Sequence, residues 1–112
     1  PHLDALQNVD LVIEAISEQA ALKFETFQAL DQICQPQCLL CSNTSSISLT
    51  AIAAHTRRPE KVAGMHFMNP VPIMKLVEGI RGLQTSEQTF QTIRKVAEKM
   101  GKTWVEAKDH PG

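Results

Sequence analysis

Three short apolar runs, Leu11–Ala15, Cys38–Cys41 and Lys61–Phe67, alternate with segments of helical character, and this rhythm constrains the fold more than any other feature. The first run is β-branched and uninterrupted, as in strands buried on both faces of a parallel sheet. From Gln19 to Cys34, the apolar residues Phe24, Phe27, Leu30 and Cys34 recur at helical spacing among polar ones, and Pro36 ends the pattern. Ser48 is placed to cap a short second helix through Ala54. Strand, helix, strand, helix, strand predicts parallel strands joined by right-handed crossovers. The link from Phe67 to Met74 is too short for a crossover helix, so a fourth strand, Met74–Ile80, is predicted to run antiparallel to the third. Thr85 and Gln88 form a capping-box pattern ahead of Phe90, Ile93, Ala97 and Met100, with Gly101 as the C-terminal stop and a fifth strand over Thr103–Lys108. No internal repeat, low-complexity tract or linker divides the chain, which reads as one structural unit.

Composition excludes several classes of partner. The formal net charge is −1 and the basic residues are scattered, so the basic stripe of a nucleic-acid binder is absent from the sequence. No apolar run approaches the ~20 residues that a membrane span requires, and there is no charged-then-apolar leader, so a cytoplasmic setting is expected. Cys34, Cys38 and Cys41 have the spacing of an iron–sulfur loop, but residues three apart on an extended strand project to opposite faces. Reduced, mostly buried thiols are the expectation, and no metal site is predicted. Met65, Met68 and Met74 sit among aliphatic residues and read as core filler. His2, His55 and His110 have no supporting motif and read as surface residues.

In an open α/β sheet, ligands bind outside the carboxyl ends of the strands. The first three runs end in Ala15–Glu18, Ser42–Ser45 and His66–Asn69, so three polar clusters are delivered to one edge. Ser42–Ser46 can also serve as a polar loop that caps a helix, and both roles are compatible. His66 ends one apolar run, and Glu78 lies in the next. A histidine with an ordinary pKa near ~6.5 accepts and returns a proton close to neutrality, and a carboxylate on its second ring nitrogen fixes the tautomer. His66 and Glu78 are therefore the candidate base and its orienting acid.

Four stretches, Asp10–Ala15, Ser42–Ser46, Gly64–Pro72 and Met74–Gly82, resemble the L-3-hydroxyacyl-CoA dehydrogenase family, including the bacterial 3-hydroxybutyryl-CoA dehydrogenases, in order and spacing. The resemblance covers essentially the whole chain. It implies a Rossmann-type three-layer α/β sheet, mostly parallel with an antiparallel extension. It also implies NAD as cofactor, an acyl-CoA substrate and a homodimeric parent enzyme of fatty-acid or short-chain acyl-CoA metabolism. By the same resemblance His66 matches the catalytic histidine and Glu78 its acidic partner. Ser45 and Asn69 match substrate contacts, and Glu18, Lys23 and Asn43 match positions on the cofactor side. Around a helix start, Glu18 can instead complement the dipole and Lys23 can be a surface charge.

Residues 1–112 then correspond to part of an NAD-binding domain, without a glycine-rich turn or the helical domain of such enzymes, and the isolated chain is expected to be inactive. Two other readings are a related dehydrogenase of free hydroxy acids, of the gulonate type, and a binding module without turnover. The Met74–Glu78 motif favours the acyl-CoA branch.

Overall fold

The apolar runs fold as strands because each can bury both faces. The computed structural model describes residues 6–44, 46–67 and 76–108. In chain order these are β1 (Leu11–Glu14), α1 (Ala20–Ile33), β2 (Leu39–Ser42), α2 (Leu49–Ala53), a 3₁₀ turn (Pro59–Lys61), β3 (Val62–Phe67), β4 (Leu76–Arg81), α3 (Glu87–Lys99) and β5 (Thr103–Lys108). They form one five-stranded sheet in the order β1-β2-β3-β4-β5. The pairs β1–β2 and β2–β3 are parallel, β3–β4 is antiparallel, and β4–β5 is parallel. The reversal falls at the short link identified in the sequence. Residues 74 and 75, where the fourth strand was expected to begin, lie outside the described residues, as do His2, Met68, His110, Ser45 and Asn69.

Two half-cores sandwich the sheet. Phe27 and Leu30 of α1 and Leu49 and Ile52 of α2 pack with Leu40, Val62 and Ile80 on one face. Phe90, Ile93 and Ala97 of α3 pack with Cys41, Ala63, Met65 and Val77 on the other. Strand side chains alternate between faces. Glu14, two residues after Val12, and Ser42, two after Leu40, therefore point to the α1/α2 face. So do His66, four residues after Val62, and Glu78, two before Ile80.

Three details correct the sequence reading. The cap of α3 is Ser86, whose Oγ accepts the Thr89 N–H at 3.0 Å. The Thr85 hydroxyl is engaged elsewhere, accepting from the Gly82 N–H at 2.9 Å and donating to the Val62 carbonyl at 2.6 Å. Lys61 closes the 3₁₀ turn that Pro59 begins, so β3 starts at Val62. His55 is half-buried rather than a free surface group: its ring stacks on Phe24 at 4.1 Å and its Nδ1 lies 2.9 Å from the Ala51 carbonyl. The expected Ser48 cap is present, with its Oγ accepting the Ala51 N–H at 3.2 Å. At the end of α3, Gly101 adopts φ +78, and the Gly101 and Lys102 N–H groups bond back to Glu98 and Ala97.

Cys34 caps the end of α1, and with Cys38 it belongs to the α1/α2 half-core, whereas Cys41 lies in the α3 half-core. All three are free thiols. Burial pushes the Cys38 thiol up to about 11, aided by Cys34, and raises Cys41 further. Among the described residues no cluster of His, Cys, Asp or Glu is placed to hold a metal ion, and no helix is long and apolar enough to cross a membrane.

At the amino ends of β2 and β3, Arg58 binds the α1 C-terminus. Its Nε donates to Asp31 Oδ1 at 2.7 Å, its Nη1 to the carbonyls of Gln35 and Cys38 at 2.6 and 3.0 Å, and its Nη2 to those of Asp31 and Cys34 at 3.0 and 3.1 Å. A cavity of about 570 Å³ opens beside it, lined by Asp31, Cys34, Pro36, Arg57 and Lys61 among others. It lies at the sheet edge away from His66, and the guanidinium beside it is committed to backbone carbonyls and the Asp31 carboxylate.

Candidate active site

His66 and Glu78 stand directly opposite each other in the β3–β4 ladder. Directly opposed residues of an antiparallel pair have Cβ atoms ~4.5–5.5 Å apart, so register alone brings imidazole and carboxylate together. Nδ1 of His66 lies 3.5 Å from Glu78 Oε1, the outer edge of hydrogen-bond contact. Their side chains are 25% and 32% exposed, open enough to meet a ligand. With Nδ1 facing the carboxylate, Nε2 is the ring nitrogen left for a substrate.

On the same face, at the tips of β1 and β2, lies a buried polar network. Lys23, in the second turn of α1, is fully buried. Its ammonium donates to Glu14 Oε2 at 2.6 Å and to the Ile16 carbonyl at 3.3 Å, and it lies 3.4 Å from Glu18 Oε1. The Ile16 N–H donates to Glu14 Oε2 at 2.7 Å and Ser42 Oγ to Glu14 Oε1. Glu18 continues the network toward solvent, its Oε2 accepting from Thr44 Oγ1 at 2.7 Å, Ser46 Oγ at 3.0 Å and the Ser46 N–H at 3.1 Å. Two buried carboxylate–ammonium charges are tolerable only when paired and hydrogen-bonded, as here. Among the described residues no buried side-chain nitrogen or oxygen lacks a partner.

The structure thus places the sequence-predicted residues in two groups. His66 and Glu78 meet across β3 and β4. Glu18 and Lys23 meet above β1, and Lys23 is an interior charge instead of the surface charge that a lysine near a helix start can be. Asn43, half-buried, joins the groups: its Oδ1 accepts the Phe67 N–H at 2.9 Å and its own N–H donates to the Glu14 carbonyl at 2.7 Å. Ser45 and Asn69 lie outside the described residues. Sequence reasoning missed Glu14, and placed Ser42 only within a polar cluster without seeing its bond to Glu14. The available signal was an acid inside an otherwise apolar strand, which a parallel sheet buries and which therefore demands a cation.

The donor set suits a dinucleotide. A partly exposed carboxylate, the hydroxyls of Thr44 and Ser46 and an amide at the carboxyl ends of parallel strands are groups that recognise ribose hydroxyls and a carboxamide. Helices on both faces of a mostly parallel sheet, with these groups at one edge, define a Rossmann-type domain. The chain belongs to the 3-hydroxyacyl-CoA dehydrogenase NAD-binding domain family, whose profile matches residues 1–110. NAD is the cofactor of that family's domain.

The chain is 59% identical over 110 residues to a probable 3-hydroxybutyryl-CoA dehydrogenase of Bacillus subtilis, covering 98% of this chain and 38% of the relative. A crystal structure of 3-hydroxybutyryl-CoA dehydrogenase from Escherichia coli K12 superposes with a TM-score of 0.92 at 47% identity, covering 98% of this chain and 23% of that one. For the (S)-3-hydroxybutyryl-CoA dehydrogenase of Ralstonia eutropha the TM-score is 0.91 at 45% identity, with 97% and 38% covered. The chain therefore spans two fifths or less of the length of these relatives.

Proposed function

We propose that this chain is the base-carrying part of an NAD-dependent dehydrogenase that interconverts 3-hydroxyacyl-CoA and 3-oxoacyl-CoA. The observation that carries the reading is the opposition of His66 and Glu78 at the sheet edge where Glu18, Thr44 and Ser46 converge. NAD, when bound along this edge, supplies the acceptor for the hydride of the carbinol carbon. His66 takes the hydroxyl proton as the C–O bond becomes a carbonyl, and returns it in the reverse direction. Glu78 holds the imidazole in one tautomer and offsets the positive charge it gains. Ser45 and Asn69 act as substrate contacts. Glu18 forms the cofactor side, Lys23 acts from beneath by holding Glu18 in place, and Asn43 stands between that side and His66. The parent enzyme is a homodimer in this reading.

The test is acetoacetyl-CoA-dependent NADH oxidation by the polypeptide that contains this chain, with His66→Gln assayed alongside. Loss of the base lowers turnover by ~10²–10⁴-fold. A folded wild type that binds NADH and leaves acetoacetyl-CoA untouched refutes the substrate class and directs the search to free hydroxy acids. An active His66→Gln variant refutes the base.

A further inference from the structure

The parallel ladder between β2 and β3 ends at Ser42 and Gly64, but β3 continues to Phe67. The three residues beyond Gly64, His66 among them, are laddered only to β4 on their other side. Asn43 spans this gap with its side chain. Its Oδ1 accepts the Phe67 N–H at 2.9 Å, standing in for a strand carbonyl. Its own N–H donates to the Glu14 carbonyl at 2.7 Å, extending the β1–β2 pairing by one residue. One residue thereby ties the tips of three strands.

The Phe67 N–H belongs to the planar peptide unit whose other end is the Cα of His66. Holding that unit fixes the backbone from which the imidazole projects, on the side opposite Glu78's strand. Glu14, held in turn by Lys23 and Ser42, anchors the far end of the tie. We propose that Asn43 is a positioning residue for His66, a hydrogen-bonded clamp that keeps the end of β3 in register with β2. The inference rests on the reading of His66 as the base. It differs from a direct cofactor contact in what it predicts: the clamp acts on turnover and on the Phe67 amide, whereas a contact acts on NADH affinity.

The experiment compares Asn43→Ala and Asn43→Asp in the polypeptide containing this chain. It measures amide hydrogen exchange at Phe67, kcat with acetoacetyl-CoA, and the Kd for NADH. Asn43→Ala is expected to lose protection at Phe67 and to lower kcat by up to ~100-fold, as misplacement of a reacting group by about 1 Å does, with NADH affinity close to that of the parent protein. Asn43→Asp keeps an acceptor at the same place and retains protection at Phe67. Unchanged Phe67 protection in Asn43→Ala overturns the clamp, as does a loss of turnover matched by an equal loss of NADH affinity. If Asn43→Ala does not fold, a folded Asn43→Asp that has lost Phe67 protection overturns it equally. His66→Gln in the same series separates the two readings: an active His66→Gln removes the base, while the exchange data still decide whether Asn43 holds the strand.

Discussion

Replacing Arg58 by Met removes a guanidinium whose donors reach five acceptors and leaves its apolar stem. Four carbonyls, those of Asp31, Cys34, Gln35 and Cys38, lose a donor, and the Asp31 carboxylate loses its closest cation. Breaking a buried pair by removing one partner costs ~3–5 kcal/mol. Asp31 still accepts from the Arg57 N–H at 2.9 Å and from Arg57 Nε at 3.3 Å. The Arg57 side chain is 81% exposed, so its ion pair contributes only ~0–1 kcal/mol, and the backbone bond is the main remaining compensation. The expected loss is therefore in the lower half of that range, ~3–4 kcal/mol. With ~1–3 kcal/mol per molar urea as the slope, the unfolding midpoint falls by ~1–4 M at unchanged slope. Arg58→Lys supplies one nitrogen in place of a planar fork and recovers only a fraction of the loss. A midpoint for Arg58→Met indistinguishable from that of the parent protein, or full rescue by Lys, would refute the account of Arg58 as the clamp of the α1 C-terminus.

Burial raises the Asp31 carboxyl, but hydrogen bonds from Arg57 and Arg58 outweigh this and hold it below its ordinary value of 3.8. Its contribution to stability is thus present above pH 3.8 and lost as pH falls through the lower folded value. The stability difference between parent and Asp31→Asn, followed by urea unfolding, should be constant above that window and shrink below it. Gly79→Ala places a Cβ 2.0 Å from Trp104 Cζ2 and should cost ~1–3 kcal/mol in thermal unfolding, with Trp104 fluorescence reporting the displaced ring. Cys38 and Cys41, buried and raised, should resist alkylation at neutral pH until urea unfolds the protein. Glu78→Gln should keep the fold and lower kcat less than His66→Gln does, because the amide still faces Nδ1 but cannot offset the charge; parental turnover in that variant would remove Glu78 from the chemistry.

Legibility in the sequence followed the range of the interaction. Strand and helix positions came from local periodicity, and the reversal of β4 came from the length of one link; both depend on residues close in sequence. The approach of His66 and Glu78 was anticipated from an acid in the apolar run that follows the histidine and from the family resemblance, and the ladder register brings the two side chains opposite each other. The cap of α3 was misassigned because Thr85 and Ser86 are both competent, and the choice is made by the Val62 carbonyl, which only the folded sheet brings near. Lys23 was illegible as an interior charge for the same reason: its partner Glu14 is nine residues earlier, and only the fold of α1 over β1 joins them. Arg58 meets Asp31 from 27 residues away, and nothing local marks either as buried.

The reversal of β4 also explains how two short elements can bring an imidazole and a carboxylate together at one edge. A parallel strand delivers only its carboxyl end to the ligand-binding edge, as β1, β2 and β3 do. An antiparallel neighbour delivers its beginning instead. Glu78 is the third residue of β4 and His66 the fifth of β3, so reversal is what puts both at the same edge, and direct cross-strand opposition places their side chains on the same face. Shifting the register by one residue would send Glu78 to the α3 face while leaving His66 where it is. One close approach opposes such a slip: a side chain brought to the place of Gly79 would meet Trp104, whose Cζ2 lies 2.0 Å from where a Cβ there would stand. The packing of Trp104 over Gly79 therefore helps to hold Glu78 opposite His66.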